Sequence, residues 1–147
     1  LKGSSNTLSN AGTINGNLTN SANTSTIANS GSINGTIINN AANGTIINAD
    51  NSNIAALDIN ESVIYNQGTN ANITSNIDIA KGKTLTIGSN GTLSFNSAKG
   101  SVNNAGTIAG NLSNVKDSII TSFTNNGTIT GNLYNDGHID TLSNTGT

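Results

Sequence analysis

The stretch NAGTINGNL, Asn10 to Leu18, returns as NAGTIAGNL at Asn104 to Leu112 and as NNGTITGNL at Asn125 to Leu133. Its apolar residues and glycines alternate with polar ones, as in Gly12-Thr13-Ile14-x-Gly16-x-Leu18, which is the period-two pattern of a strand with one buried face. Ile and Thr favour strands, whereas frequent Gly and Asn spoil helices. A chain writes one short phrase several times when each copy meets the same geometric problem.

Outward from that phrase, an apolar anchor followed by Asn at +2 and Gly at +4 recurs along the chain. The anchors are Leu8, Ile27, Ile46, Ile64, Ile87, Val102, Phe123 and Leu142. Their mean step is about 19 residues, in the range of solenoid repeats. At +2 stand Asn10, Asn29, Asn48, Asn66, Ser89, Asn104, Asn125 and Asn144; at +4 stand Gly12, Gly31, Asp50, Gly68, Gly91, Gly106, Gly127 and Gly146. A weaker Asn column at +12 holds Asn20, Asn39, Asn114 and Asn135. The spacing predicts an all-β parallel β-helix of seven or eight rungs. Asn10, Asn29, Asn48, Asn66, Asn104, Asn125 and Asn144 are expected to form one structural side-chain ladder along the axis. The +4 glycines are expected to supply positive φ at tight corners. One aliphatic column would hold Ile14, Ile33, Leu93, Ile108 and Ile129, and another Leu18, Ile37, Leu112 and Leu133. Phe123 is expected inside, and Tyr65 and Tyr134 outside. The segment Ile77–Phe95 breaks the spacing, and Lys81-Gly82-Lys83 reads as a surface turn in a local loop, with the rungs resuming by Leu93.

Composition supports a thin aliphatic core. The 147 residues contain no Trp, Met, Cys or Pro, and the aromatics are Tyr65, Phe95, Phe123 and Tyr134; Asn fills about a fifth of the chain. The five bases are all Lys against seven acids, so the basic stripe and stackable aromatics of a nucleic-acid binder are missing. No apolar run reaches membrane-spanning length, and the absence of Cys removes disulfides and thiolate metal sites. The chain opens inside repeat-like sequence, so residues 1–147 are expected to be one β-helix segment of a longer array or one protomer of it.

The runs NSGSINGTI (Asn29–Ile37), NNGTITGNL and GKTLTIGSNGTL (Gly82–Leu93) resemble the passenger regions of bacterial autotransporters and related large exported adhesins. That resemblance implies a right-handed parallel β-helix displayed outside the cell, acting in adhesion or aggregation or as a stalk. The family's β-barrel and aromatic-rich cap have no counterpart in this sequence.

The residues offer little to other chemistries. β-Helix polysaccharide enzymes need clustered carboxylates on one face. The closest acids in sequence are Asp58 with Glu61 and Asp136 with Asp140, and both pairs read as solvated charge. His138 lacks metal-binding partners, and neither a cofactor nor catalysis is expected. An ice-binding solenoid would need a regular Thr face, and the file Thr13, Ser32, Thr69, Thr92, Thr107, Thr128, Thr147 is only partly regular. Asp58-Ile59-Asn60-Glu61-Ser62 is the one sequon preceded by an acid, making Asn60 a candidate glycosylation site. The reading that fits best is a non-enzymatic, extracellular rod of a bacterial surface protein. Its expected partners are a host or bacterial surface protein or glycan, and further copies of itself. TLSNAGT (Thr7–Thr13) and TLSNTGT (Thr141–Thr147) place the two ends at one phase of the repeat, so head-to-tail stacking is expected.

Overall fold

A computed structural model describes residues 1–3, 6–23, 25–88 and 91–147; Ser89 of the +2 column lies outside these. The described residues form twenty short strands, all paired in parallel, in seven rungs. Rung 1 holds β1 (Thr7–Asn10), β2 (Thr13–Ile14) and β3 (Leu18–Asn20); rung 2 holds β4 (Thr26–Asn29) and β5 (Ser32–Asn39); rung 3 holds β6 (Gly44–Asn48) and β7 (Asn53–Ile59). Rung 4 comprises β8 (Val63–Gln67), β9 (Asn72–Ile73) and β10 (Asn76–Ile79), and rung 5 β11 (Thr84–Ile87), β12 (Thr92–Phe95) and β13 (Gly100–Asn104). Rung 6 comprises β14 (Thr107–Ala109), β15 (Asn111–Asn114) and β16 (Ile119–Asn125). Rung 7 comprises β17 (Thr128–Ile129), β18 (Leu133–Asn135), β19 (His138–Ile139) and β20 (Leu142–Asn144).

The fold is a parallel β-helix. The first strand of every rung joins sheet I, in the order β1-β4-β6-β8-β11-β14-β17, and the remaining strands form sheet II. Sheet II has two limbs. Its bend is marked by the register shift between Ile33 and Thr36, where β5 meets β7. Each rung therefore presents three faces: sheet I, the first limb and the second limb.

Between the faces runs a core of stacked side chains. Sheet I contributes Leu8, Ile27, Ile46, Tyr65 and Ile87 in register. The first limb contributes Ile14, Ile33, Ile54, Ile73 and Phe95. The second limb contributes Leu18, Ile37, Leu57, Ile77, Val102, Phe123 and Leu142. Fully burying one such side chain is worth about 1.5–3 kcal/mol, so the columns hold the rod together.

The core is where the expected columns need correction. Ile33, Leu93, Ile108 and Phe123 are buried, and Ile14 and Ile129 are half-buried in the end rungs. They do not share one column, however. Ile14 and Ile33 stack on the first limb, whereas Ile108 and Ile129 stack on sheet I beneath Leu85 and Val63. Leu112 and Leu133 stack with Leu93, and Leu18 and Ile37 belong to the second limb.

The cause is rung length. Ile27 to Ile46 is 19 residues, but Tyr65 to Ile87 is 22 and Ile77 to Val102 is 25. The added residues set the motif back by one face. In rungs 1 to 3 the corner of Asn10, Asn29 and Asn48 follows sheet I, with Asp50 in the place of the glycine in rung 3, and in rungs 5 to 7 the Asn-x-Gly corner follows the second limb. Ile87 and Val102, read as successive anchors, lie in one rung, which is how eight anchors fit in seven rungs.

Tyr65 corrects a second expectation. Tyr65, not Ile64, is in register with Ile46, and a one-residue slip in a strand exchanges inside for outside. Tyr65 is accordingly fully buried and Ile64 is 46% exposed. Tyr134 is exposed. Lys81-Gly82-Lys83 does form a turn, with Gly82 at φ +74°, but β10 and β11 on either side stay within the ladder rather than leaving it.

The corner glycines also work differently from the expectation. Of the +4 column only Gly91 has a positive φ; left-handed positions at other corners are taken by Asn43, Asn51, Asn70 and Asp117, and by Gly82, which is outside that column. What the column needs is room. A Cβ on Gly31 would fall on the carbonyl oxygen of Gly12, one on Gly127 on that of Gly106, and one on Gly146 on that of Gly127. Successive rungs touch backbone to backbone at this corner. Gly127→Ala is therefore expected to cost about 1–3 kcal/mol in urea denaturation, the usual price of overpacking, although alanine is otherwise a better residue for an ordered chain.

Candidate functional site

The side chains that repeat from rung to rung are the corner asparagines and the outward residues of the sheets. The asparagines form three stacks rather than one. Along the corner after sheet I, Asn10 Nδ2 donates to Asn29 Oδ1 (2.8 Å) and Asn29 Nδ2 to Asn48 Oδ1 (3.0 Å). At the corner after the second limb, Asn20 donates to Asn39 (2.9 Å); Ile59 and Ile79 then fill the column, and Asn104, Asn125 and Asn144 resume it at 2.7 and 2.8 Å. The third stack, after the first limb, is Asn114 to Asn135 at 2.8 Å.

The ladder amides also bond the backbone. In Asn10, Asn20, Asn29 and Asn104 the Oδ1 accepts the backbone N–H two residues on. In Asn10, Asn29, Asn39, Asn48, Asn104, Asn114 and Asn125 the Nδ2 donates to a backbone carbonyl of the next rung, as from Asn29 to Asn53 and from Asn104 to Thr128. Asn29, Asn48, Asn104 and Asn125 are buried. A polar group that is both buried and fully bonded fixes geometry at little cost, and one left unbonded is expensive.

Asn66 is outside these stacks. It stands opposite Ile47, while Gln67 is opposite Asn48, and its amide lies where a Cβ on Gly88 would be. The first stack ends instead on Tyr65, whose hydroxyl accepts from Asn48 Nδ2 (3.2 Å) and donates to Gln67 Oε1 (3.2 Å). Burial pushes the Tyr65 phenol well above its ordinary value, and the hydrogen bond from Asn48 only partly opposes this. The third stack begins on Phe95, in register with Asn114. Asn114 Oδ1 is accordingly the one buried side-chain polar atom among the described residues without a partner.

The outer faces differ in charge. No strand of sheet I carries an ionisable group besides Tyr65, which points inward. Outward on that sheet, Thr7, Thr26, Thr45, Ile64 and Thr86 share one file and Ser9, Ala28, Ile47 and Asn66 the next. The expected Thr file is split: Thr13 and Ser32 lie on the first limb, followed by Asn53, while Thr107 and Thr128 follow Thr84 on sheet I.

Charge sits on sheet II and at the corners. Asp58 and Asp78 are directly stacked on neighbouring rungs, with Asn103 next and donating to Asp78 Oδ1 (3.3 Å). This carboxylate pair went unseen in the sequence because its signal is a separation of one rung, not closeness along the chain. Glu61 pairs with Lys83 at 2.8 Å, and His138 Nε2 lies 3.0 Å from Asp140 Oδ1 in an exposed contact. Among the described residues no three His, Cys, Asp or Glu side chains converge as metal ligands would. Asn60 is exposed in the corner after β7, where its Nδ2 donates to Asn40 Oδ1 (3.0 Å). Compared with known proteins, the chain matches no family model, no curated protein and no solved structure.

Two stability measurements test this account. Asn125→Ala removes the middle of a three-membered stack and is expected to cost about 1–2 kcal/mol in chemical denaturation, with exposed Asn23→Ala costing much less; equal costs would speak against a ladder role. The raised Tyr65 phenol means that the folded state keeps a proton which the unfolded state loses near pH 10.0. Its contribution is therefore complete below that pH and is lost as pH climbs from the unfolded value toward the higher folded one. Tyr65→Phe is expected to be less stable at neutral pH by about 0.5–1.5 kcal/mol and to show a shallower alkaline decline.

Proposed function

We propose that this chain is a non-enzymatic structural and adhesive β-helix segment of a bacterial surface protein, working outside the cell as a stiff, multivalent rod. The observation carrying this reading is the outward file of Thr7, Thr26, Thr45 and Thr86 on sheet I, broken at Ile64, with rungs about 4.8 Å apart and no charged group on the strands of that sheet. One hydroxyl or methyl contact is weak. Many in a file, held rigid by the ladders beneath, add without a further ordering cost on either partner. The resemblance to autotransporter passengers supports the extracellular setting, and a host or bacterial glycan or protein surface is the partner class that suits such a strip.

Two other readings each have one observation in their favour. The Thr7, Thr26, Thr45 and Thr86 file favours an ice-binding face, although Ile64 interrupts it. The Asp58–Asp78 stack favours a polysaccharide-active enzyme, which would use adjacent carboxylates.

The test is adhesion of beads bearing the chain at graded density to bacterial and epithelial surfaces. Retention is expected to rise steeply with density. It is expected to fall at least tenfold when Thr26, Thr45 and Thr86 are changed to Lys, and to survive replacement of Asp58, Glu61, Asp136 and Asp140 together. Thermal hysteresis in ice would favour the second reading. Release of reducing or unsaturated sugar ends, lost on replacing Asp58 and Asp78, would favour the third.

A further inference from the structure

The corner between β16 and β17 reads Asn125-Asn126-Gly127 and holds chemistry that the ladders do not use. Asn125 is buried in its stack, and Asn126 beside it is exposed. Asparagine followed by glycine is the least hindered setting for attack of a backbone nitrogen on the preceding side-chain carbonyl, since glycine has no Cβ to crowd the approach. Such pairs begin at Asn15, Asn34, Asn43, Asn90 and Asn126. Asn90 lies outside the described residues, and the fold sets the other four in different surroundings.

At Asn126 each reacting group is available. Of the +4 glycines, Gly127 alone has an N–H without an acceptor among the described residues. Gly12, Gly31 and Gly106 donate to the asparagine two residues back, and Gly68, Gly91 and Gly146 donate to backbone carbonyls. The nitrogen of Gly127 therefore gives up no hydrogen bond in order to react. Asn126 Oδ1 accepts the hydroxyl of Thr145 at 2.8 Å, a donor placed where negative charge develops during attack on Cγ. Its Nδ2, the leaving group, has no acceptor among the described residues.

Two other pairs are restrained. Asn34 donates through Nδ2 to Asn15 Oδ1 (2.8 Å), and Gly35 lies within β5. Gly44 is buried as the first residue of β6. Asn15 is the nearest equivalent of Asn126, with an amide rather than a hydroxyl on its Oδ1.

We propose that Asn126 is a site of self-modification, converting to aspartate and isoaspartate without an enzyme. The Gly127 nitrogen bonds to Asn126 Cγ, and the Cγ–Nδ2 bond breaks. Nδ2 leaves as ammonia, carrying the proton that the Gly127 nitrogen gives up. Water then opens the resulting five-membered imide. Attack at Cγ gives an ordinary aspartate, and attack at the backbone carbonyl routes the main chain through the side chain, one atom longer. That extra atom enters a corner without room for it. A Cβ on Gly127 would strike the carbonyl oxygen of Gly106, and one on Gly146 would strike that of Gly127. The rod accordingly loosens with age from one fixed corner, whatever surface it binds.

Peptide mapping by mass spectrometry tests this on the 147-residue chain held in mildly alkaline buffer. Asn126 is expected to convert at least tenfold faster than Asn34 and Asn43, with Asn15 between them. Thr145→Val is expected to slow Asn126 several-fold, and Asn126→Gln to abolish the reaction there. The converted chain should show a lowered urea midpoint, whereas Asn126→Asp, which has the charge without the extra atom, stays near the unmodified value. In concentrated urea the ranking should vanish. An Asn126 that stays intact, or converts no faster than Asn34 and Asn43, overturns the proposal. So does a ranking that persists in urea, which would assign the rates to local sequence rather than to this corner.

Discussion

The interaction on which the structure depends is the bond from a corner asparagine to the asparagine of the next rung. A parallel β-helix turns its backbone sharply three times per rung, and every turn takes peptide groups out of the strand ladder. Those groups are buried beside the core, where an unpaired amide or carbonyl costs about 1–3 kcal/mol. Asn answers with both an acceptor and a donor on a short stem. It ties its own corner through Oδ1 and the next corner through Nδ2. The glycine two residues on follows from the same requirement, since the rungs must come close enough for the amides to meet.

Where asparagine is missing, larger groups take over. Tyr65 and Gln67 end the stack that Asn48 can no longer pass on, and Phe95 underlies Asn114 where another begins. Ile59 and Ile79 bridge the gap in the column between Asn39 and Asn104. Three of the four aromatics lie fully buried within rungs 4 to 6, where rung length departs from 19 residues and more volume must be filled.

The strand class, the parallel stacking and most of the buried aliphatics were legible because alternation and the Asn-Gly column are local signals. The face each motif occupies was not. The spacing from Asn48 to Asn104 is close to three rungs of 19 residues, so a constant period absorbs the longer middle rungs without trace; only pairing reveals that the interval is two rungs and two faces. The same cause hid Tyr65, where nothing local distinguishes the anchor Ile64 from its neighbour. Glycine was recognised at the right positions for a conformational reason, whereas the operating reason is contact between residues 19 apart or more, which no local reading contains. Of the ladder, membership was largely legible and connectivity was not.

The motif's change of face has a consequence for how such a chain tolerates changes in length. One inserted residue inverts a strand, and the three-residue surplus of rung 4 is carried in part by a turn at Lys81–Lys83. A surplus near one third of a rung is different in kind, because it returns every side chain to an equivalent position on the adjacent side. For sequence exchange, then, the interchangeable module is the single side with its corner rather than the full circuit. Deletions and duplications of six or seven residues should be absorbed where those of two or four are not, so a rod of this type can drift in length by thirds of a turn while its interior stays filled.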